Sequence, residues 1–380
     1  MHVFGRTDVG RTREHNEDAF VVADLTRGNA TLQPEVRTHE VGDRGSLFMV
    51  ADGMGGAAAG EIASAMAIEV VLRELTEALS SADAPDKESY AASLKRATAA
   101  ANAQIHAFAL DHPEYRGMGT TATVAAVLGD TLFLSQVGDS RAYLVRDGVA
   151  QQITKDQSLM QKLIEAGEIT EEEAAHSERR NIILQALGPE AQIRVDLTHQ
   201  QVRRGDVLVL CSDGLSGQVR IDEIGQVATD EPDLMVVCKT LIDRANENGG
   251  PDNITVIAVR FDGDGLTAST QGDNVGHLVF PMATDSGQTA AYMRTTLPPG
   301  FVRDTREVKG RTTLKIPTLE MPIMPEPTPR VSAARRVRGS LIALGFVVIF
   351  LTLLTWFTYR TASSVVEKRS GTTPAGSVTP

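Results

Sequence analysis

Four times in this chain a short apolar run stops at, or starts from, an aspartate. "SLFMVADG" reaches Asp52, "TLFLSQVGD" reaches Asp139 and "VLVLCSDG" reaches Asp213, while "PDNITVIAV" opens with Asp252 and Asn253. "TDVGRTREHNEDAF" supplies Asp8, Glu17 and Asp18 ahead of another apolar run. Short apolar runs bounded by Gly, Asp and Asn read as buried strands. Strand ends at one edge of a sheet lie close together, so the fold must gather several carboxylates. Two of them about 5 Å apart repel by about 3 kcal/mol at an effective dielectric of 20. A group of four or five therefore requires protons or cations. Oxygen ligands without His or Cys select hard ions, Mg²⁺ or Mn²⁺, over zinc. Paired ions bridged by a carboxylate suit attack on a phosphorus centre.

The glycines after Asp52 admit another template, a dinucleotide fingerprint Gly53-x-Gly55-x-x-Ala58. A carboxylate just before the first glycine would face a pyrophosphate with the wrong sign of charge. Glu69, standing where the ribose acid would be sought, lies in a helix-like run. A lone Asp-Gly is ordinarily a turn, and Asp147-Gly148 in "LVRDGVAQQIT" reads as the turn of a hairpin. The formal net charge of −12 argues against a general nucleic-acid binder. Cys211 and Cys238 sit in apolar runs without partners at metal spacing, as buried thiols of a reducing compartment do.

Residues 1–262 alternate strand-like runs with amphipathic stretches. "GEIASAMAIEVVLRELTEALS" and "SLKRATAAANAQIHAFAL" carry apolar residues at helical spacing, and "SLMQKLIEAGEITEEEAAHSE" reads as helix, turn and second short helix. The pattern indicates an α+β layered domain without the βαβ rhythm of a doubly wound fold. Residues 263–338 are rich in Gly, Thr and Pro and read as a flexible linker ending in an Arg-rich juxtamembrane segment. Residues 339–359, "GSLIALGFVVIFLTLLTWFTY", have no charge and the length of a transmembrane helix. Arg330, Arg335, Arg336 and Arg338 crowd its N-terminal flank, which assigns that side to the cytosol and residues 360–380 to a short extracytoplasmic tail. "MHVFGRTDVG" has no basic region followed by an apolar core, so no signal peptide is expected.

Six stretches, "TDVGRTREHNEDA", "VADGMGG", "GMGTTATVA", "VGDSRAYL", "LCSDGL" and "GGPDNITV", stand in the order found in the metal-dependent Ser/Thr protein phosphatases of type 2C, and the chain resembles their bacterial form from residue 7 to about 260. The resemblance implies a central β-sandwich flanked by α-helices. It implies that Asp52 bridges two Mn²⁺ or Mg²⁺ ions, with the Gly53 carbonyl on one and Asp213 and Asp252 on the other. Asp139 corresponds to a ligand of a third ion shared with Asp213. Arg13 would grip the substrate phosphate, with Glu17 and Asp18 ordering the waters of the ions. Asn253 and Asp8 read as turn and cap residues, and Thr120–Thr121 as a hydrogen-bonding feature of a strand start. Met54 and Gln157 stand where many relatives carry histidine, Gln157 just ahead of a flap at roughly 158–188. The implied reaction is in-line attack of an activated water on phosphoserine or phosphothreonine, without Ser140 or Cys211 as nucleophile. The expected partners are phosphorylated proteins, Ser/Thr kinases among them, met by a monomeric catalytic domain at the cytosolic face of the cell membrane. The alternatives are a catalytically silent phosphoprotein-binding domain tethered to the membrane and a phosphohydrolase of small molecules.

Overall fold

The computed structural model describes residues 1–27, 38–80, 85–270 and 272–282. In chain order it begins with β1 (His2–Asp8), β2 (Asp18–Asp24), β3 (Ser46–Met54), α1 (Ala57–Ser80), α2 (Lys87–Asp111), β4 (Gly119–Thr120), β5 (Ala122–Leu128) and β6 (Thr131–Val137). Then follow β7 (Arg141–Arg146), β8 (Val149–Gln152), α3 (Leu159–Glu165), α4 (Glu171–Ala175), β9 (Asp196–Gln201) and β10 (Val207–Cys211). The last elements are α5 (Asp213–Ser216), α6 (Ile221–Asp230), α7 (Leu234–Glu247) and β11 (Ile254–Arg260). One sheet has the order β1-β11-β10-β7-β8 and the other β2-β3-β5-β6-β9, with β4 paired to the end of β3. Neighbouring strands run antiparallel throughout.

The unbroken apolar runs follow from burial on both faces of each sheet. Phe48 and Val50 of β3 meet Leu208, Leu210, Ile257 and Val259 of the opposite sheet in the central layer. Their neighbours Leu47, Met49 and Ala51 point the other way, beneath α1 and α2. The alanines of those helices, among them Ala63, Ala67, Ala97 and Ala101, are fully buried and let the backbones come close to the sheet. On the far side, Val209, Cys211, Val256 and Ala258 lie under α6 and α7. The result is the expected β-sandwich between helical layers. Helices α3 and α4 fall where the sequence expects a helix, turn and short helix, and α6 and α7 are additions to that reading. Asp147 and Gly148 both have positive φ, 51° and 83°, which makes the β7–β8 connection the mirror-image turn that suits a twisted hairpin.

Register brings the acids to one end of the sandwich. Asp18 opens β2 directly opposite Asp52 near the end of β3. Cys211 ends β10 opposite Val256, which leaves Asp213 and Asp252 just beyond that same end. Val137 ends β6 beside Ala122, and Asp139 follows it.

Composition predicts that the linker begins at residue 263, but the described part of that stretch is fixed to the domain. Arg203 pairs with Asp273 at 2.8 Å, and the Arg204 amide donates to Thr267 O at 2.9 Å. The His199 amide donates to Leu278 O and the Phe280 amide to Leu197 O, both at 2.9 Å, so residues 278–280 cover the open edge of β9. Phe280 sets its ring edge-on to Phe133, centroids 5.5 Å apart. Composition could not signal this, because the strap uses isolated anchors and has no periodic face. Among the described residues no helix is long and apolar enough to cross a membrane. The expected transmembrane helix at 339–359, its tail and the rest of the linker lie outside the described residues. Because Phe280 is half-buried against the core, Phe280→Ala is expected to lower unfolding stability by about 1–2 kcal/mol, read as a lower urea midpoint at unchanged m-value. An unshifted midpoint would show that the strap adds nothing.

Candidate metal centre at the strand ends

The side chains at this end are held by a web of hydroxyl and amide groups. Asp18 Oδ2 accepts hydrogen bonds from Ser212 Oγ at 2.8 Å and Thr255 Oγ1 at 2.7 Å. Thr255 spends its proton on Asp18, so Thr7 Oγ1 must donate to Thr255 at 2.8 Å, and Thr7 in turn accepts from Asn16 Nδ2 at 2.8 Å. Asp18 thus ties the two sheets together, while its Oδ1 is buried without a partner. Asp52 is fixed through its backbone. Its amide donates to Thr121 Oγ1, and its carbonyl accepts from Thr120 Oγ1 and the Thr121 amide, all at 2.9 Å. Thr120 and Thr121 therefore do what the sequence expects of them. Thr121 Oγ1 also meets Ser140 Oγ at 2.7 Å. Asp139, 7% exposed, has an Oδ1 with no partner.

Crowding shows in the titration of these groups. Burial, then the nearby Asp213 and Asp252 charges, push Asp18 up to about 7 against the hydrogen bonds from Thr255 and Ser212. Asp139 is pushed up to about 8 by burial and then by Asp213. Burial raises Asp52 well above the carboxylate range, helped by the charges of Asp18, Asp213, Asp139 and Asp252. Asp213 is raised by burial and then by Asp252, with Arg141 and Arg13 opposing. Glu17 is raised chiefly by burial, with Arg13 opposing. Burial leads in every case, and each acid is raised further by Asp213, Asp252 or both, the signature of one site.

Among the described residues no three His, Cys, Asp or Glu side chains close around a common point as a ready-made cage. Mg²⁺-like ions do not need one, since they keep several waters and take one or two carboxylates each. The donor set fits such ions: oxygen only, in excess charge, with Asp18 Oδ1 and Asp139 Oδ1 buried and unpartnered. Gly53 leaves no room for a side chain, because a Cβ there would lie 2.3 Å from Gly60 O and 2.5 Å from Glu17 O. Gly60 likewise brings α1 against Glu17, its Cβ position being 2.0 Å from Glu17 Oε2.

Arg13 is at the site, with its Nη2 2.7 Å from Asp252 Oδ2 and its side chain 49% exposed. Asp8 accepts from the Gly10 amide at 2.9 Å and from Asn246 Nδ2 at 3.1 Å, a turn-capping role as expected. Gln157 accepts from the Gly138 amide at 3.0 Å and from Gln185 Nε2 at 2.7 Å, which fastens the base of the flap beside Asp139. Met54 pairs with Gly119 in the β3–β4 ladder. Ser140 and Cys211 are fully buried, consistent with neither being a nucleophile. One group escaped sequence reasoning, and a second, Asn253, does more than the turn or cap expected of it. Arg141, bidentate on Asp156 with its closest contact at 2.7 Å, puts a fixed positive charge near Asp139 and Asp213. Asn253 reaches three backbone groups of the loop that carries Arg13. The "DSR" within "VGDSRAYL" was the available signal for the first.

The sequence profile described as Protein phosphatase 2C matches residues 27–255. The serine/threonine phosphatase stp of Listeria monocytogenes is 36% identical over 262 residues, covering 69% of this chain and 96% of that protein. The crystal structure of the Mycobacterium tuberculosis serine/threonine phosphatase PstP/Ppp superposes with a TM-score of 0.58 at 35% identity, covering 69% of this chain and 99% of that one. A structure of the catalytic domain of PstP in complex with two manganese ions superposes with a TM-score of 0.54 at 36% identity, over 67% of this chain and 96% of that one. The chain belongs to the protein phosphatase 2C family.

Two outcomes follow from the site. In the unfolded chain Asp18 and Asp139 titrate near 4, and in the folded one at about 7 and about 8. The folded state therefore holds extra protons between those values, and their contribution to stability is lost as pH rises. With EDTA present, the melting temperature is expected to fall from pH 5 to pH 8, and Mn²⁺ is expected to reverse the fall. A flat or rising profile in EDTA would contradict the shared site. Gly53→Ala should destabilise more than Gly60→Ala, since the first new methyl meets backbone atoms at 2.3–2.5 Å, whereas the second meets chiefly the far end of a flexible glutamate and one backbone carbon, Gly53 C, at 2.9 Å. Thermal melts of the two variants decide it.

Proposed function

We propose that this chain removes phosphate from phosphoserine and phosphothreonine in proteins, with Asp52, Asp139, Asp213, Asp252 and the Gly53 carbonyl as the ligands of its divalent ions. It is a metal-dependent serine/threonine protein phosphatase that uses Mn²⁺ or Mg²⁺. The observation that carries the ligand assignment is the burial of Asp52, Asp139 and Asp213 within reach of one another's charges and that of Asp252 at one end of the sandwich, which raises all three, opposed by only a few positive charges.

When bound, the ions supply neutralisation of the phosphoryl oxygens and a lowered pKa for the attacking water. The chain's own groups do the rest. Arg13, whose planar fork matches two phosphate oxygens, exchanges Asp252 for the substrate and holds the phosphoryl group in line. Asp18 keeps one oxygen on Ser212 and Thr255 and turns the unpartnered Oδ1 to accept from a water. Glu17, its backbone pinned beside Gly53, accepts from a second water. Met54 cannot donate a proton, so the leaving serine or threonine oxygen takes its proton from solvent. Arg141 stays on Asp156 and offsets the charge of Asp139 and Asp213 without touching substrate.

The reading extends to the whole chain. Residues 1–262, with the strap that follows, form the catalytic unit. Residues up to 338 tether it to a membrane helix at 339–359, with 360–380 outside the cell. The apolar, uncharged run and the arginines ahead of it support this topology. A phosphatase held at the cytosolic face is suited to oppose Ser/Thr kinases and their substrates there. Phosphopeptide hydrolysis with Mn²⁺ tests the assignment. Asp213→Ala is expected to lower kcat by at least about a hundredfold, and Arg13→Ala to act mainly by raising KM about tenfold or more. Turnover that survives in Asp213→Ala, or that ignores Mn²⁺, would contradict it.

A further inference from the structure

Between Asp8 and Asp18 the chain forms no strand or helix, and Arg13 stands near the middle of this exposed loop. Both feet of the loop rest on one side chain. Asn253 Nδ2 donates to Val9 O at 3.0 Å and to His15 O at 2.9 Å, and Asn253 Oδ1 accepts from the Glu17 amide at 2.8 Å. Its two donors and its carbonyl are all engaged, and the residue is 4% exposed. Other ties hold the loop nearer its ends: the Gly10 amide on Asp8 at 2.9 Å and the Arg11 amide on Gly250 O at 2.8 Å before Arg13, and Asn16 Nδ2 on Thr7 Oγ1 at 2.8 Å after it. After Arg13, the tie at His15 is made by Asn253. The adjacent Asp252 receives the guanidinium itself. A turn or cap residue satisfies backbone groups near it in sequence, whereas these three lie 236 to 244 positions away.

We propose that Asn253 is a positioning residue for phosphate recognition: by fixing Val9, His15 and Glu17 to one amide, it sets the span of the loop and presents Arg13 to the phosphoryl group. The inference rests on the phosphate role given to Arg13 above. Only an amide supplies one acceptor and two donors from a single short side chain. Asn253→Asp keeps the acceptor but turns a carboxylate toward two carbonyls, and Asn253→Ala removes all three bonds. Either change leaves the ordered strands in place and loosens the loop on both sides of Arg13, at Val9 and at His15. A freed guanidinium must then be ordered at each binding event, which weakens the grip on substrate.

The test is a double-mutant cycle on the full-length chain, with phosphopeptide as substrate and Mn²⁺ saturating in every arm. Asn253→Asp and Asn253→Ala are each combined with Arg13→Ala. Each single Asn253 variant is expected to raise KM about five- to tenfold with kcat within about threefold. In the Arg13→Ala background neither should raise KM further. If the KM effects multiply with that of Arg13→Ala, or if kcat falls while KM stays, the inference is overturned while the phosphatase reading stands. If Arg13→Ala alone leaves KM unchanged, the phosphate role of Arg13 fails and the inference with it. Should Asn253→Ala not fold, the near-isosteric Asn253→Asp carries the test.

Discussion

Asp18 and Asp52 face each other across the β2–β3 ladder, and like charges at directly opposed positions are the arrangement a sheet otherwise avoids. Three further aspartates at the same end compound the repulsion. The surrounding structure is organised around tolerating that charge. Hydroxyls of Ser212 and Thr255 spend their protons on Asp18, and Arg141 and Arg13 stand close by as permanent counter-charges. What those groups leave uncompensated is what divalent cations bring.

The sandwich makes such crowding possible without collapsing around it. Each sheet is buried on both faces, so packing sets the register from residues such as Phe48, Val50, Leu208 and Ile257. A one-residue slip would turn those side chains to the wrong layer. The acids are carried to their places by strands whose stability comes from elsewhere. Gly53 and Gly60 complete the arrangement by letting α1, the Glu17 backbone and the end of β3 approach more closely than any side chain would allow. Packing therefore supplies the free energy, and the strand ends hold the charge.

Much of this was legible because the strands announce themselves at their ends. An apolar run that stops at, or starts from, an aspartate gives both the strand and a carboxylate at its end: Asp52 and Asp213 stand before a glycine, Asp139 after one, and Asp252 at the opening of its run. Their gathering at one end needed only the antiparallel pairing that brings the start of one strand beside the end of the next. The rest depended on long-range partners that carry no local pattern. Asp156 and Arg141 meet from either side of a hairpin, and Asn253 acts on residues more than two hundred positions away. Helix α7 opens with "LMVVC", an apolar run without helical spacing, and Asp233 caps it by accepting from the Met235 amide. The strap at 263–282 was hidden by its composition, since Gly, Thr and Asp suit a tether as well as a segment pinned at Asp273 and Phe280.

The gathering of the aspartates around shared cations is tested most directly by diffraction from crystals grown in MnCl₂, with data collected at the manganese absorption edge. Anomalous peaks are predicted among the strand ends, one in contact with Asp52 and others reached by Asp213, Asp252 and Asp139. A well-ordered map in which those carboxylates surround no anomalous peak would contradict the account.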